Sequence, residues 1–517
     1  MALKRKPTDS AEIQSVAFVS LGCPKNLVDS EKMLGLLAED GIAITGDQDQ
    51  ADAIVINTCG FLEASKVESI KVIREAIEAK QAAEGQGRTK RVIVAGCLVQ
   101  RHRAQLLNDV PEVDALVGVF DRENIVKAVR GGLEPLAETG RDMGSYHTVS
   151  TFISKPTRAD IGKGYVDSDR ARLRLTPRHY AYLRISEGCN QGCTFCTIPS
   201  IRGRMRSKPL ADILTEAEEL IADGAFELNL IGQDTTSYGE DTGFNQRGEG
   251  LTGMLRALDR VKGAGWIRLM YAYPSCFTDE MIKTLADCRH VIKYIDMPLQ
   301  HINDQVLHAM RRKVTRVQIE TLLEKLRKWV PGITLRTTFI SGFPGETEAQ
   351  HKELLKFVQD FGFENVGVFE FSPEPSTPAG RLHETAGIAA KVATRRKKEI
   401  MVAQQAIAFA KNKALVGQTI QVLVDAVDMR KKVATARHMG QAPDIDGRVL
   451  IKIKEMKGGG VPGEVLQVRI SDYNYYDLIG ETVATTPRPV DATPSKRSRL
   501  SLPVMGVVSV ETTSKRG

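Results

Sequence analysis

Short apolar runs alternate with amphipathic stretches near the amino terminus of the chain. The apolar runs are VAFVSLGC, AIVINTCG and VIVAGCLV, and the segments between them, such as KVESIKVIREAIEAKQAAE, have a helical pattern. Alternation of this kind is typical of β-α-β units. It predicts an α/β domain around a parallel sheet, which we place at residues 13–150.

Six further apolar runs, separated by helical patterns, lie between Tyr180 and Gly380. They are AYLRIS, FELNLIGQ, WIRLMYAYP, YIDMPLQ, TLRTTFISG and ENVGVFEFS. Six repeated β-α units indicate a curved parallel sheet, a partial TIM-like (β/α) barrel that stops short of the eight units of a closed one. In such a barrel the functional groups lie at the carboxyl ends of the strands. We therefore expect a site at that end of residues 179–400.

The carboxy-terminal part of the chain has a different pattern. Its apolar runs TIQVLVDAV, GRVLIKIKE and EVLQVRI are separated by MGQAPDIDG and KGGGVPG, which predicts a small antiparallel β-barrel over residues 415–482. Residues 401–414 are predicted to form a helical connector, and residues 151–178 a linker. Residues 483–517 contain six Lys or Arg against two acidic residues, a composition typical of a disordered tail.

The composition is that of a globular protein without a membrane segment. The chain has 517 residues, of which 42% are hydrophobic and 26% charged, and its net charge is +7. No apolar run approaches the roughly 20 residues of a membrane-spanning helix, and the amino-terminal MALKRKPTDSAEIQ lacks the apolar stretch of a signal peptide. We therefore expect a cytoplasmic protein with no membrane partner and with reduced thiols.

Three of the eight cysteines end the apolar runs of the first domain. These cysteines and their glycine neighbours are Cys23, Cys59, Cys97, Gly22, Gly60 and Gly96. In an open parallel sheet, ligands bind beyond the carboxyl ends of the strands, and glycine lets the backbone approach a ligand closely. The three cysteines are therefore predicted to converge on one small inorganic group. The alternative is that they are buried, inert packing residues.

A second group of three cysteines follows the first strand of the predicted barrel, in the stretch ISEGCNQGCTFCTIPSIRG. Cys189, Cys193 and Cys196 form a C-x3-C-x2-C array. Three cysteines cannot pair off evenly as disulfides, and eight in the whole chain are too few for a disulfide scaffold. The array therefore indicates thiolates gathered around a metal.

This array, placed after the first strand of a six-unit barrel, resembles the signature of radical S-adenosylmethionine enzymes. The resemblance implies a [4Fe-4S] cluster on Cys189, Cys193 and Cys196, with one iron left open for the methionine part of S-adenosylmethionine. In that family an electron from the cluster cleaves the sulfonium to give a deoxyadenosyl radical, which is chemistry of the cofactor. A zinc site is the alternative, although zinc normally needs a fourth Cys or His close by.

The order of the three predicted domains is similar to that of the methylthiotransferases, in which the small barrel is a TRAM domain with an OB-like fold. The resemblance covers the chain from Val16 to about Gly480. It implies a second [4Fe-4S] cluster on Cys23, Cys59 and Cys97, and that cluster is implicated in supplying sulfur.

Several motifs are similar to one branch of this family. SLGCPKNLVDSE, IGQDTTSYG, PLQHINDQVLHAMRR and APDIDG resemble the RimO branch, which methylthiolates an aspartate of small-subunit ribosomal protein twelve. The tRNA-modifying MiaB branch is the nearest alternative, and it typically differs where this chain has CPKN and GQDTTSYG. A non-catalytic iron-sulfur or RNA-binding protein is a further alternative.

The resemblance also suggests residues for the cofactor pocket. Gly342, Gly345 and Glu346 in SGFPGET resemble the glycine-rich cofactor wall of radical enzymes, although such a stretch after a strand is also typical of an ordinary turn. Phe195 is predicted to pack near the adenine, with a plain packing role as the alternative, and Gln233 and Asp234 to line the cofactor or substrate side. His301 is either a polar group of the pocket or a structural residue. Cys276 and Cys288 are interpreted as packing residues, and no catalytic residue is predicted.

The predicted small barrel is formally neutral, because residues 415–482 contain nine Lys or Arg and nine Asp or Glu. A domain that binds RNA through phosphates needs an excess of basic residues. We therefore expect the barrel to dock a basic ribosomal protein through Asp444 and Asp446 of APDIDG, with tRNA the less favoured substrate. The alternative is that these aspartates stabilise a tight turn before Gly447. The second expected partner is an electron donor such as flavodoxin or ferredoxin.

Overall fold

The structure is a computed structural model that describes residues 13–86, 88–131, 149–154, 168–453 and 460–485. The predicted tail lies outside the described residues from position 486 onward, and so does the middle of the predicted linker. No helix within these ranges is long and apolar enough to cross a membrane.

The amino-terminal domain is built on a six-stranded, all-parallel sheet. Its strands are β1 (Ser15–Ser20), β2 (Ala43–Thr45), β3 (Ala53–Thr58), β4 (Arg91–Gly96), β5 (Ala115–Val117) and β6 (Ser150–Phe152). Its helices are Pro24–Glu39, Glu63–Gln86, Cys97–Asp109 and Ile125–Arg130. The spatial order β2-β1-β3-β4-β5-β6 places the three strands predicted from the apolar runs, β1, β3 and β4, side by side.

Helices cover both faces of this sheet, which explains why its central strands are continuous apolar runs. Helices Pro24–Glu39 and Ile125–Arg130 pack on one face, and Glu63–Gln86 and Cys97–Asp109 pack on the other. Every residue of β3 is buried. The last strand, β6, extends the sheet into the range that the sequence pattern assigns to the linker.

The second domain contains the six-stranded parallel sheet that the second set of apolar runs predicts. The strands of this sheet are β7 (Tyr180–Arg184), β10 (Glu227–Ile231), β11 (Trp266–Leu269), β12 (Val291–Asp296), β13 (Thr334–Ser341) and β14 (Asn365–Glu370). Two short strands, β8 (Ser186–Glu187) and β9 (Arg206–Ser207), form a separate antiparallel pair. Its helices are Ile198–Arg202, Leu210–Ala222, Leu251–Leu258, Asp279–Asp287, Asp304–Ala309, Arg316–Trp329, Glu348–Phe361 and Pro378–Ala386. The sheet order is β7-β10-β11-β12-β13-β14, with β7 and β14 as its edges, so the barrel is open.

Alternation along the strands separates an apolar outer face from a polar and aromatic interior. On β7, Ala181 packs against the helices, whereas Tyr180 and Tyr182 belong to a cluster on the concave side. Arg268 of β11 is fully buried on that side and donates to Glu227 of β10 over 2.7 Å. Because buried charges must be paired, the concave interior is filled with specific polar contacts.

The third domain is a closed five-stranded barrel in the order β15-β16-β17-β19-β18. Its strands are β15 (Thr419–Asp428), β16 (Val433–His438), β17 (Val449–Lys452), β18 (Val465–Asn474) and β19 (Asp477–Thr485). The prediction of a small barrel is confirmed. Four of its strand pairs are antiparallel, as predicted, and β17 and β19 form the one parallel pair of the ring.

One long helix joins the barrels. It runs over Ala390–Leu415 and so begins well before the predicted connector at 401–414. It packs against β14, helix Glu348–Phe361 and β18. The connector is therefore part of the wall of the second domain and also supports the small barrel.

Asp444 and Asp446 lie where the small barrel packs against the amino ends of the second sheet. Tyr180 Oη donates to Asp444 Oδ2 over 3.1 Å, and Tyr294 Oη donates to Asp446 Oδ2 over 2.8 Å. The Asp446 side chain is only 2% exposed and also pairs with Arg336 at 3.4 Å. The Asp446 carboxylate is thus buried between two domains, whereas Asp444 is an exposed residue beside its contact with Tyr180. Binding of the substrate protein by these aspartates stays a prediction.

Candidate functional site

The amino-terminal cysteines meet at one edge of the first sheet. Cys23 follows β1, Cys59 follows β3 and Cys97 follows β4, and these strands are neighbours. Since the strands are parallel, their carboxyl ends lie at the same edge. Helix Pro24–Glu39 begins directly after Cys23, and Cys97–Asp109 begins at Cys97. Two helix N-termini therefore favour negatively charged sulfur at this edge.

The glycines beside these cysteines stand at close approaches of the backbone. A Cβ on Gly22 would lie 2.9 Å from Cys59 Cβ, and one on Gly60 would lie 2.6 Å from Leu98 Cα. Gly96 has φ +97°, a conformation that residues with a side chain rarely adopt. A side chain at any of these positions would push the strand ends apart, so the glycines permit the convergence that the sequence predicts.

Arg202 connects this triad to the second domain. It ends helix Ile198–Arg202, which begins two residues after Cys196, and its Nη2 donates to Cys97 Sγ over 3.3 Å. Burial raises the pKa of the Cys97 thiol to about 12, and Arg202 opposes that rise. A thiol of this kind is deprotonated by binding a metal, so cluster loading at this site would release protons.

The second triad lies in the loop between β8 and helix Ile198–Arg202. Backbone hydrogen bonds fix the loop: Cys196 N–H donates to Cys193 O, and Cys189 N–H donates to Gly203 O, each over 3.2 Å. Burial raises the pKa of Cys189 to about 11 and that of Cys196 to about 12, and the charge of Cys193 adds to both shifts. The negative charges of the cysteines in this loop thus disfavour one another.

Arg312 is the counterpart of Arg202 at the second triad. Its Nη1 donates to Cys193 Sγ over 3.6 Å, and its guanidinium lies 3.9 Å from the centre of the Tyr273 ring. Its Nη2 donates to the carbonyl of Pro298 over 2.6 Å. Each triad thus has one arginine that donates to a sulfur, a contact that stabilises thiolate and tunes a bound cluster.

Gln233 and Asp234, which follow β10, hold the loop of the second triad on both sides of Cys189. Gln233 Nε2 donates to Glu187 Oε1, and Gln191 Nε2 donates to Asp234 Oδ2, each over 2.6 Å. The Asp234 carboxylate is fully engaged in this turn. Gln233 Oε1 is buried and has no partner within the described part of the chain, so it remains available to a ligand.

The SGFPGET loop leaves β13 and packs on the long helix. A Cβ on Gly342, where φ is +77°, would lie 2.5 Å from Ala393 Cβ, whereas a Cβ on Gly345 would meet nothing within 4 Å. Glu346 accepts the N–H of Gly342 over 2.6 Å and pairs with Arg396 at 3.2 Å. The Glu346 carboxylate therefore fixes the shape of the loop from within, and its assignment to the cofactor stays a prediction.

Phe195 packs beside this loop. Its side chain contacts the apolar cluster that contains Phe343. The predicted adenine contact and the predicted cofactor wall thus belong to one surface.

His301 is fully buried, its Nδ1 accepts the N–H of Asn303 over 3.0 Å, and its Nε2 lies 3.7 Å from Glu346. It supports the loop from behind.

The two remaining cysteines join neither triad. Cys276 Sγ accepts from Ser237 Oγ over 3.2 Å, and Cys288 lies in the main core of the second domain. Within the described ranges, no three His, Cys, Asp or Glu side chains are arranged to hold a metal ion. This finding covers both triads, so neither is arranged around a single ion such as zinc, and a larger cluster on either stays a prediction.

Sequence reasoning missed Arg202 and Arg312. Arg202 lies 105 positions from Cys97, and Arg312 lies 119 positions from Cys193. Arg202 lies shortly after the second triad, in SIRGR, and Arg312 is the last residue of the motif PLQHINDQVLHAMRR, but neither position indicates a contact with a sulfur.

Three parts of the chain match known families. Residues 15–118 match the Uncharacterized protein family UPF0004, residues 183–358 match the Radical SAM superfamily, and residues 416–483 match the TRAM domain. Ribosomal protein uS12 methylthiotransferase RimO of Bdellovibrio bacteriovorus is 42% identical over 478 residues, which are 92% of this chain and 99% of that protein. The RimO protein of Desulforamulus reducens is 41% identical over 90% of this chain and 99% of its own length. This chain belongs to the RimO family.

Membership of the RimO family confirms the resemblance found in the sequence. It also confirms the radical S-adenosylmethionine barrel and the TRAM domain, and it disfavours both the MiaB and the carrier alternatives. The fold is shared more widely. TsrM of Kitasatospora setae, a radical S-adenosylmethionine methyltransferase solved with tryptophan and a cofactor analogue, has a TM-score of 0.51 at 14% identity, over 84% of this chain and 85% of that one. At that identity the likeness concerns the fold alone.

Proposed function

We propose that this chain methylthiolates ribosomal protein uS12, replacing one β-C–H bond of an aspartate by C–SCH3. The support is the name carried by relatives that are 42% and 41% identical and match over nearly their whole length. The formally neutral small barrel agrees with a protein substrate, since phosphate binding needs an excess of basic residues.

We also propose two [4Fe-4S] clusters, one on each cysteine triad, with S-adenosylmethionine at the second. The donor sets fit: each has three thiols, and each has an arginine that donates to one sulfur. When bound, the clusters and S-adenosylmethionine supply the electron, the radical precursor, the methyl group and the sulfur. The chain's own residues bind these groups, stabilise the thiolates and exclude water through burial of the surrounding loops.

The contact between Arg202 and Cys97 is the observation that carries the proposal. Arg202 lies six positions after the last cysteine of the second triad, and its guanidinium reaches a sulfur of the first. The segment that follows the second triad therefore packs against the first triad. A sulfur-donating site and a radical-generating site must both reach the same substrate carbon, and this arrangement meets that requirement.

Iron analysis of cysteine variants tests the two-cluster proposal. Anaerobically reconstituted protein should bind roughly eight irons. Cys193→Ala should halve the iron and abolish reductive cleavage of S-adenosylmethionine, whereas Cys59→Ala should halve the iron and leave that cleavage largely intact. Cys288→Ala, a core cysteine outside both triads, is the matched control and should keep all the iron. Full iron in Cys59→Ala would refute a cluster at the first triad.

Mass spectrometry of uS12 and of bulk tRNA tests the substrate. Cells that lack this chain should lose a mass equivalent to replacing hydrogen by SCH3 on one uS12 aspartate, and should keep their tRNA modifications. Loss of a tRNA methylthio group instead would favour the tRNA alternative. We propose that the reaction takes place in the cytoplasm with a one-electron donor such as flavodoxin or ferredoxin, which can be tested by reconstituting turnover with each.

A further inference from the structure

Lys25 is a buried cation with few partners. It lies in the first turn of helix Pro24–Glu39 and is only 7% exposed. Its Nζ donates to the carbonyl of Gly232 over 2.9 Å and lies 3.8 Å from the centre of the Tyr271 ring. It pairs with none of the carboxylates in the described ranges. Because an ammonium group has three N–H donors, donor capacity remains for a further partner.

The other buried lysine of the same interior provides the contrast. Lys208 is fully buried, and its Nζ pairs with Asp169 at 2.8 Å and with Glu216 at 2.7 Å. Burying an ammonium group without an anion is costly, so a buried lysine is normally paired. Lys25 departs from that rule and is therefore a candidate to receive an anion from outside the chain.

Lys25 connects the segment of the first triad to the strand ends of the second domain. It follows Cys23 by two positions, and its acceptor Gly232 lies against Ser186, three positions before Cys189. Ser186 Oγ is itself buried and without a partner in the part of the chain that the structure describes. The interior beside Lys25 thus contains unpaired polar groups of the kind that a polar ligand satisfies.

Backbone strain supports a functional role for this contact. Tyr271, whose ring lies under the ammonium, has φ +59°. That conformation is costly for a bulky residue and is typical of functional sites, where the surrounding structure maintains it. It follows the carboxyl end of β11, which is the end of the second sheet where the second triad lies.

We propose that Lys25 binds the side-chain carboxylate of the target aspartate. The inference rests on the proposed function, which requires an aspartate to enter the interior between the triads. The β-carbon that reacts is bonded directly to the carboxylate carbon, so holding the carboxylate also positions the reacting carbon. An ammonium in this place selects an anionic side chain over a neutral amide or an uncharged nucleobase.

Binding measurements on full-length, anaerobically reconstituted protein test the role of Lys25. The probes are uS12 and a uS12 variant in which the target aspartate is replaced by asparagine. Unsubstituted protein should bind the aspartate form roughly 10- to 100-fold more tightly than the asparagine form. This ratio of affinities corresponds to the free energy of a hydrogen bond between charged groups. Lys25→Met should lose this preference. Lys32→Met should keep it, because Lys32 lies on the same helix and also donates to a carbonyl, that of Arg170 over 3.1 Å.

Each other outcome has a definite meaning. Unsubstituted protein that binds neither form of uS12 refutes the proposed function. Protein that binds both forms equally, or a Lys25→Met variant that keeps the preference, refutes the role of Lys25 and leaves the proposed function standing. A changed iron content or cluster EPR signal in Lys25→Met would assign the cation to the cluster and also overturn the inference. Lys25→Gln, which can still donate to Gly232, replaces Lys25→Met if the latter does not fold.

Discussion

At the scale of single residues, the absence of a side chain brings the first triad together. Gly60 follows Cys59 directly and stands against the start of the next helix. A Cβ there would lie 2.8 Å from Leu98 N and 3.1 Å from Cys97 C. Because these atoms are backbone, they cannot move aside as a flexible side chain can. The spacing of Cys59 and Cys97 therefore depends on this glycine.

Gly60→Ala should separate those two cysteines. We expect the variant to be destabilised by about 1–3 kcal/mol, as overpacked sites usually are, and to lose about half of its reconstituted iron. Cleavage of S-adenosylmethionine should persist, because the second triad is untouched. Gly367→Ala is the matched control, since the nearest atom to its Cβ lies at 3.7 Å. Iron analysis that finds Gly60→Ala fully loaded would contradict this account.

At the scale of elements, helix Ala390–Leu415 supports the SGFPGET loop. The Ser341 hydroxyl donates to the carbonyl of Ala393 over 2.8 Å, and Arg396 Nη1 donates to the carbonyl of Glu346 over 3.0 Å. The amino end of the helix thus holds both ends of the loop. Any shift of the helix would be transmitted to the proposed cofactor wall.

Paired glycine variants test this coupling. In Gly342→Ala the new methyl group would meet Ala393, which pushes the loop off the helix, and we expect affinity for S-adenosylmethionine to fall by roughly 10-fold. Gly345→Ala introduces similar backbone strain, since φ at Gly345 is +82°, but the new Cβ would meet nothing within 4 Å. Its affinity for S-adenosylmethionine should therefore fall less than that of Gly342→Ala. Equilibrium binding of S-adenosylmethionine to each reconstituted variant measures both affinities. Equal losses would mean that backbone strain, and not contact with the helix, controls the loop.

At the scale of the whole molecule, buried ion pairs join the three domains. Arg184 of β7 pairs with Asp29 of the first domain at 2.7 Å, and Arg437 of the small barrel pairs with Glu227 of β10 at 2.7 Å. Separating such a pair leaves an uncompensated buried charge, which is strongly destabilising. The three domains are therefore expected to unfold together.

His438 makes the interface with the small barrel sensitive to acid. Burial, together with the charges of Arg268 and Arg437, lowers its pKa from 6.5 to about 4. Between those values the unfolded chain binds a proton that the folded chain does not, so stability should fall as the pH decreases from 6.5 to about 4. Above pH 6.5 the group is neutral in both states and contributes no pH dependence.

His438→Gln should flatten this part of the stability profile. Melting temperatures of the apoprotein, measured from pH 7 down to about pH 4, should fall less steeply for the variant than for the unsubstituted protein. His290→Gln is the control, because the Nδ1–H of His290 donates to the carbonyl of Gly265 over 3.1 Å within the second domain. Parallel profiles for His438→Gln and the unsubstituted protein would exclude His438 as the group responsible.

Much of this architecture could be predicted from local patterns. The central strands of the first domain are apolar runs that end at Gly-Cys or Cys-Gly pairs, so the sequence predicts both the strands and the position of the cysteines. Strands β2, β5 and β6 have three residues each and give too little periodicity to be recognised. The sequence pattern also did not predict β16 and β19. Because β19 is the parallel partner of β17, the parallel pair of the small barrel was not predicted either.

The side chains that complete the site could not be predicted, because their partners are distant in sequence. Lys25 reaches a carbonyl 207 positions away. Asp446 shows the same limit: composition indicated that its loop is acidic, but only the packing of two domains places its carboxylate against Tyr294 and Arg336. Local patterns place cysteines at strand ends, whereas the pairing of charges across domains needs the assembled fold.

Arg202 also has a consequence for biosynthesis. The ribosome completes the first sheet and its three cysteines well before it reaches Arg202, so the emerging domain contains Cys97 and Asp29 without the guanidinium that later contacts both. The nascent site is a pocket of thiols that lacks its counter-charge. Iron delivery before the second domain emerges would meet an incomplete site, so maturation of the first cluster should follow synthesis of the second cysteine motif, and the two sites should mature as one unit.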